Sequence, residues 1–161
     1  MQRVAGARVE VAGEVIGAIG RGLLAYIGLG RGDTAEDRAW VLSKIVGLRV
    51  FEAEAEHGEP VERAERGKMT MSLADVGGAL LLVSQFTLYG DLRRGRRPSF
   101  DDAMPPDEAE LAYDAVVRDA RATGLRVETG RFRADMRVSS TNDGPVTLWI
   151  DSAIRAQPRT L

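Results

Sequence analysis

Along the first third of the chain, apolar and polar positions alternate. Val9 and Val11, then Val15, Ile16 and Ile19, flank Ala12-Gly13-Glu14, the pattern of a β-hairpin with a short glycine turn. A second turn at Gly20-Arg21-Gly22 is predicted to lead into a strand over Leu23–Ile27. The period then lengthens. Asp33 or Thr34 can cap a helix whose first turn carries Glu36 and Asp37, where acids suit the helix dipole. That helix is predicted to run to about Val46, with Val41, Ile45 and Leu48 on one face and Gly47 at its end, before a short strand over Leu48–Phe51.

Leu80 to Val83 are four successive aliphatics, too few for a membrane span and without the period of a surface helix, so a buried central strand is predicted. Its end is unusual. Ser84, Gln85 and Thr87 arrive where the strand should fade into a loop, while Phe86 and Leu88 keep an alternating apolar side. Polar groups at the end of a buried strand need partners or line a cavity. Beyond them, Pro105-Pro106-Asp107 opens a second helix, with Leu111, Ala112, Ala115 and Val116 expected inward and Gly124 as its stop. Strands are predicted over 126–128, 136–140 and 146–150, with Gly144-Pro145 between the last two, and an irregular tail over 151–161. The pattern is that of an α/β (α+β) fold, strand-rich, with mainly antiparallel sheets and two main helices.

Composition narrows this picture. A chain of 161 residues with 44% hydrophobic and 29% charged content suits one soluble domain over 1–161. The segment 52–66 departs from that average, with six glutamates, one proline and scarcely a large apolar group, and is expected to be an exposed acidic loop. The absence of cysteine removes disulfides and thiolate chemistry, and the sole histidine, His57, lies in the acidic segment. Ser-His-Asp and Cys-His arrangements and zinc sites of sulfur and imidazole are thereby excluded, and no cofactor or metal is expected. No signal-like apolar stretch opens the chain and no run is long enough for a bilayer, so a cytoplasmic protein without a membrane partner is expected. GLGRGD at 28–33 has the wrong spacing for a phosphate-binding loop and reads as a hairpin-to-helix connection.

Two segments carry candidate chemistry. Ser84-Gln85-Phe86-Thr87 can present hydroxyls and free backbone N–H groups where a strand leaves its sheet, the geometry an oxyanion site needs, or can simply satisfy local backbone. Asn142-Asp143-Gly144-Pro145-Val146-Thr147 contains a Gly-Pro bond, with a small trans preference; a plain hairpin turn is the competing reading. Arg93, Arg94, Arg96 and Arg97 make the densest positive charge in the chain, although the net charge is only −2.

Jointly, SQFTLYGD and NDGPVT make the chain resemble the D-aminoacyl-tRNA deacylase family. QRV at 2–4, GLL at 22–24, GKM at 67–69, DVGG at 75–78, RRPSF at 96–100, TGRF at 129–132 and ADM at 134–136 fall in the same order. The resemblance implies a homodimer that hydrolyses the ester between a D-amino acid, or glycine, and tRNA, releasing both, with the active site at the subunit interface. It implies that Ser84, Gln85, Phe86 and Thr87 form the pocket floor. The Phe86 and Thr87 amides would stabilise the oxyanion, and the tRNA 2′-hydroxyl would help activate water. It further implies that Gly144-Pro145, in cis, enters from the neighbouring subunit and excludes L-amino acids, steadied by Arg3. Phe132 and Met136 would lie near the terminal adenosine or the pocket wall, and the four arginines would meet acceptor-stem phosphates. Family members usually have residues before QRV, so a shortened first strand or a later start is expected. A synthetase-associated editing module and a non-catalytic tRNA-binding protein are the alternatives.

Overall fold

The computed structural model describes residues 1–53 and 67–155; the acidic segment from residue 54, His57 included, and the tail from residue 156 lie outside the described residues. Strand β1, Gln2–Val11, is ten residues long. It turns at Ala12 and Gly13, both with positive φ, into β2, Glu14–Ile19. The second predicted turn is only a bend. After Gly20 and Arg21 the chain continues as β3, Gly22–Ile27, down the same edge of β1, with Val4 opposite Gly22 just as Ala7 is opposite Ile19. A side chain at Gly22 would overlap the Ala79 main chain, which explains glycine at that crossing.

Helix α1, Ala35–Gly47, is capped by Thr34 rather than Asp33, with Thr34 and Asp37 forming a reciprocal capping box. The strand expected from Leu48 begins later, as β4 at Phe51–Glu52, and pairs with β5, Met69–Met71. Next, β6, Ala79–Ser84, runs parallel to β3 and to β7, Arg126–Thr129, and these two parallel pairings join four antiparallel ones. Between β6 and β7 lies α2, Pro106–Ala122, with Pro106 in its first turn. Its inward stripe is Ala109, Ala112, Tyr113, Val116, Val117 and Ala120; Leu111 is 74% exposed, contrary to expectation. At about 100° per residue, Leu111 falls about half a turn from Ala109, and the phase set by Tyr113 and Val117 wins.

The apolar run of β6 is unbroken because both faces of the strand are covered. Leu80 and Leu82 pack with Leu42, Ile45, Val116 and Ala120 of the helices, whereas Leu81 and Val83 pack with Val4, Val9 and Ile19 inside the sheet's curl. The curl brings β2 back to β7: a Cβ on Gly17 would lie 2.5 Å from the Thr129 carbonyl, and Arg126 donates to Ala18 O at 3.4 Å. The last strand, β8, spans Met136–Thr147 and, among the described residues, pairs with β1 alone. No helix among the described residues is long and apolar enough to cross a membrane.

Candidate functional site at the carboxyl ends of the parallel strands

Where β6 ends, Ser84 is still paired with Ile27, and the Gln85 amide donates to the Ile27 carbonyl at 2.8 Å. The chain then leaves the sheet as one 3-10 turn, Phe86–Tyr89. The first amides of such a turn have no acceptor within it, so the N–H groups of Phe86 and Thr87 are available to a ligand. Both residues are exposed, Phe86 by 58%, and the Phe86 ring meets Phe100 edge-on at 5.0 Å. Thr87 Oγ1 accepts a hydrogen bond from Gln85 Nε2. No described carboxylate, amine or histidine is bonded to Thr87, so its hydroxyl is positioned without being activated as a nucleophile. The chemistry this arrangement supports is stabilisation of developing negative charge by main-chain donors, not attack by a side chain.

Met136 and Phe132 stand around the same strand ends. A Cβ on Gly130 would lie 2.6 Å from Met136 Sδ and 3.8 Å from Val83, so Met136 covers the exit of β6. Phe132 is half-buried, its ring 6.0 Å from that of Tyr113, whose hydroxyl donates to Leu82 O at 2.8 Å. Burial pushes the Tyr113 pKa up and keeps it a phenol donor.

The Gly144-Pro145 segment is not a hairpin turn between two strands. It is a wide bulge within β8: Val4 pairs with Asn142 and Gln2 with Thr147, so residues 143–146 stand opposite Arg3 alone. Asn142 closes the bulge, accepting from the Val146 amide at 3.2 Å and donating to Thr147 Oγ1 at 2.9 Å. Arg3 holds it from beneath. Its side chain is buried and donates to Val50 O at 2.6 Å and to Asp143 O at 3.1 Å, with the Asp143 carboxylate 3.3 Å away. Among the described residues no peptide bond is cis, so the expected cis Gly144-Pro145 bond is corrected to trans. The reversal a cis bond would provide comes instead from Gly144 at φ +111°, a conformation that glycine adopts without strain. A side chain there would overlap the Arg3 guanidinium. No hydrogen bond or ring contact joins this bulge to Ser84–Thr87 of the same chain.

The arginine loop hangs from the same turn, closed by Asp91 and Ser99, which exchange backbone bonds of 2.7 and 3.1 Å. Arg93 is committed to Asp91 through Nε at 2.9 Å and Nη2 at 2.7 Å, and these bonds hold the Asp91 pKa down at about 2. Arg94, Arg96 and Arg97 are exposed without an ion pair among the described residues. Sequence reasoning missed Tyr89, half-buried behind the turn, with Asp33 and the glycines against it. Gly28 and Gly30, two apart and so on one side of an extended chain, were the available signal. Leu88 and Tyr89 line a cavity of about 710 Å³ together with Leu148, Trp149 and Met1; Phe86 and Thr87 do not line it.

The fold, two helices packed on a mixed sheet with a parallel β3-β6-β7 core, places the chain among α/β proteins. Within that class it belongs to the D-Tyr-tRNA(Tyr) deacylase family, whose model matches residues 1–151. It is 57% identical over 153 residues to a D-aminoacyl-tRNA deacylase of Sorangium cellulosum, covering 94% of this chain and 95% of that one. It is 50% identical over 153 residues to the enzyme of that name from Thermotoga petrophila, covering 95% of each. Among solved structures, a c-Myc DNA unwinding element binding protein superposes with a TM-score of 0.78 at 39% identity, over 91% of this chain and 93% of the other. A probable eukaryotic D-amino acid tRNA deacylase shares the fold, with a TM-score of 0.69 at 19% identity over 89% and 92%.

Proposed function

We propose that the protein is a D-aminoacyl-tRNA deacylase, working as a homodimer on aminoacylated tRNA in the cytoplasm. The observation that carries this reading is the exposed start of the 3-10 turn at Phe86 and Thr87, whose first amides lack an acceptor within the turn, beside a Thr87 hydroxyl with no base bonded to it among the described residues. A water oxygen adds to the ester carbonyl, the tetrahedral oxyanion takes the two N–H groups, and the bond to the ribose oxygen breaks. The proton lost by water ends on that ribose oxygen, passed by the neighbouring 2′-hydroxyl, while Ser84, Gln85 and Thr87 order the site. Free D-amino acid and tRNA leave. A lost oxyanion donor typically costs about 2.7 to 4 kcal/mol of barrier.

Selectivity in this reading comes from the Gly144-Pro145 bulge of the neighbouring subunit. With the bond trans, the bulge excludes an L side chain by its bulk, and a D side chain or the bare hydrogen of glycine passes. Two features favour the dimer. The outer edge of β8 has no strand partner among the described residues, and Phe86, Leu88, Leu148 and Trp149 leave large apolar surface exposed around the turn. Phe132 and Met136 border the strand ends where the terminal adenosine would lie, and Arg94, Arg96 and Arg97 are free to meet acceptor-stem phosphates. Incubation with D-tyrosyl-, glycyl- and L-tyrosyl-tRNA should release amino acid from the first two only. Binding of all three without ester loss would instead identify a non-catalytic tRNA-binding protein.

A further inference from the structure

Apart from the Phe86–Phe100 ring contact and the Gln85–Thr87 side-chain bond, the exposed half of the 3-10 turn is held by few contacts. Leu88 N bonds Gln85 O at 3.4 Å and Gly90 N bonds Thr87 O at 3.1 Å, while Phe86 and Thr87 project to solvent. The fixed end is Tyr89. Its ring lies in a slot that exists because Gly28 and Gly30 lack side chains: a Cβ on Gly28 would stand 3.1 Å from Tyr89 Cε2, and one on Gly30 would stand 2.6 Å from the hydroxyl and 2.7 Å from Cε1 and Cζ. Leu29, between them, points the other way into the core.

Asp33 locks the slot. Its carboxylate accepts from the Gly30 amide at 2.8 Å and from the Tyr89 hydroxyl at 3.4 Å, and its own amide donates to Gly30 O at 3.2 Å across a turn with Gly32 at φ +86°. The loop is anchored in turn by Met104 N to Leu29 O at 2.9 Å and by Arg31 N to Asp102 O at 2.9 Å. Burial first, and then the Asp33 charge, push the Tyr89 pKa up to about 12, so the ring remains a neutral donor wherever the protein is folded.

We propose that Asp33 and Tyr89 are positioning residues: the GLGRGD loop grips Tyr89 in its glycine slot and thereby fixes where the Phe86 and Thr87 amides point. The proposal rests on the deacylase reading given above. In this proposal both act through the turn and not by touching the substrate. They act by pre-setting the donor geometry, for which a displacement of about 1 Å can cost roughly 100-fold in rate.

The test uses the full chain on D-tyrosyl-tRNA. Gly30→Ala, which drives a methyl into the ring, should lower kcat about 100-fold with KM within roughly threefold, because the defect lies in the transition state. Adding Tyr89→Leu, which removes Cε1, Cζ and the hydroxyl, should restore at least about tenfold of the loss, whereas adding Tyr89→Phe, which keeps Cε1 and Cζ, should not. Parental kcat in Gly30→Ala, equal recovery by both partners, or none by leucine would overturn the proposal. Should Gly30→Ala not fold, hydrogen exchange in Tyr89→Ala decides. Faster exchange at the Leu88 and Gly90 amides, which bond Gln85 O and Thr87 O and so report the turn's opening, with 79–83 unchanged, is expected; unaltered exchange at those two amides would refute the grip. A parental protein inactive on D-tyrosyl-tRNA would sink the deacylase reading alone, because the exchange result stands without it.

Discussion

Replacing Arg3 with methionine keeps the length and apolar stem of the side chain while removing every donor beneath the Gly144-Pro145 bulge. Three contacts are lost, and they differ in worth. The Val50 carbonyl, bonded at 2.6 Å and belonging to a residue only 3% exposed, is left without its charged donor, which costs about 1.5–3 kcal/mol. The Asp143 carbonyl and carboxylate sit on a half-exposed residue that water can reach, so their share is about 0.2–1 kcal/mol. The sum is about 2–4 kcal/mol, partly offset because methionine carries no guanidinium to desolvate. A net of roughly 2 kcal/mol corresponds to a fall in Tm of about 4–8 °C for a chain of this size. The assay is thermal unfolding at fixed protein concentration, since dimerisation would make Tm concentration-dependent, alongside release of tyrosine from D- and L-tyrosyl-tRNA. Arg3→Met should melt earlier and, with the bulge unheld, discriminate D from L less sharply. A variant with parental Tm and parental selectivity would refute the reasoning.

Three further outcomes are expected. Thr87→Ala should slow D-tyrosyl-tRNA cleavage without abolishing it, because no described base activates the hydroxyl; an inactive variant that still binds a non-cleavable analogue would make Thr87 the nucleophile. Asp91 has a folded pKa of about 2, below its ordinary 3.8, so its support for the arginine loop is complete above about pH 4 and is lost as pH falls through about 2. Carboxyl chemical shifts should report that midpoint, and a midpoint near 3.8 would mean the Arg93 pair does not form in solution. Alanine at Arg96 and Arg97 together should raise KM and flatten the salt dependence, with the slope of log affinity against log salt falling by about 1 per lost phosphate contact. Salt curves superimposable on the parent's would place the tRNA elsewhere.

The sequence made some parts of this molecule easy to read and concealed others for physical reasons. Leu80–Val83 announced a central strand because burial on both faces leaves no polar position in the run. Thr34, Pro106 and Ala12-Gly13 are local signals, each acting on the backbone beside it, and each marks a helix start or a turn as expected. What pattern could not reach was whatever depends on partners distant along the chain. Leu111 has the same chemistry as a core residue, and only the helix's phase against β6 turns it outward. Gly20-Arg21 has turn composition, yet pairing with β1 on both sides keeps the ribbon running. The bulge at residues 143–146 was invisible because its cause is Arg3, some 140 positions away in the chain. The same holds for Asp33, whose composition suits a helix cap but whose carboxylate serves Gly30 and Tyr89 instead.

The proposed deacylase requires one composite surface, in which the bulge of one protomer would close over the amide-bearing turn of its partner. Subunit mixing tests it most directly. Phe86→Pro removes one oxyanion donor and Gly144→Ala disrupts the bulge, so each variant alone should lose cleavage of D-tyrosyl-tRNA. Refolded together in equal amounts, they should regain about a quarter of the parental rate, the statistical yield when half the dimers each rebuild one of two symmetric sites. A mixture no more active than the two variants apart would mean that the bulge and the turn never meet across a subunit boundary.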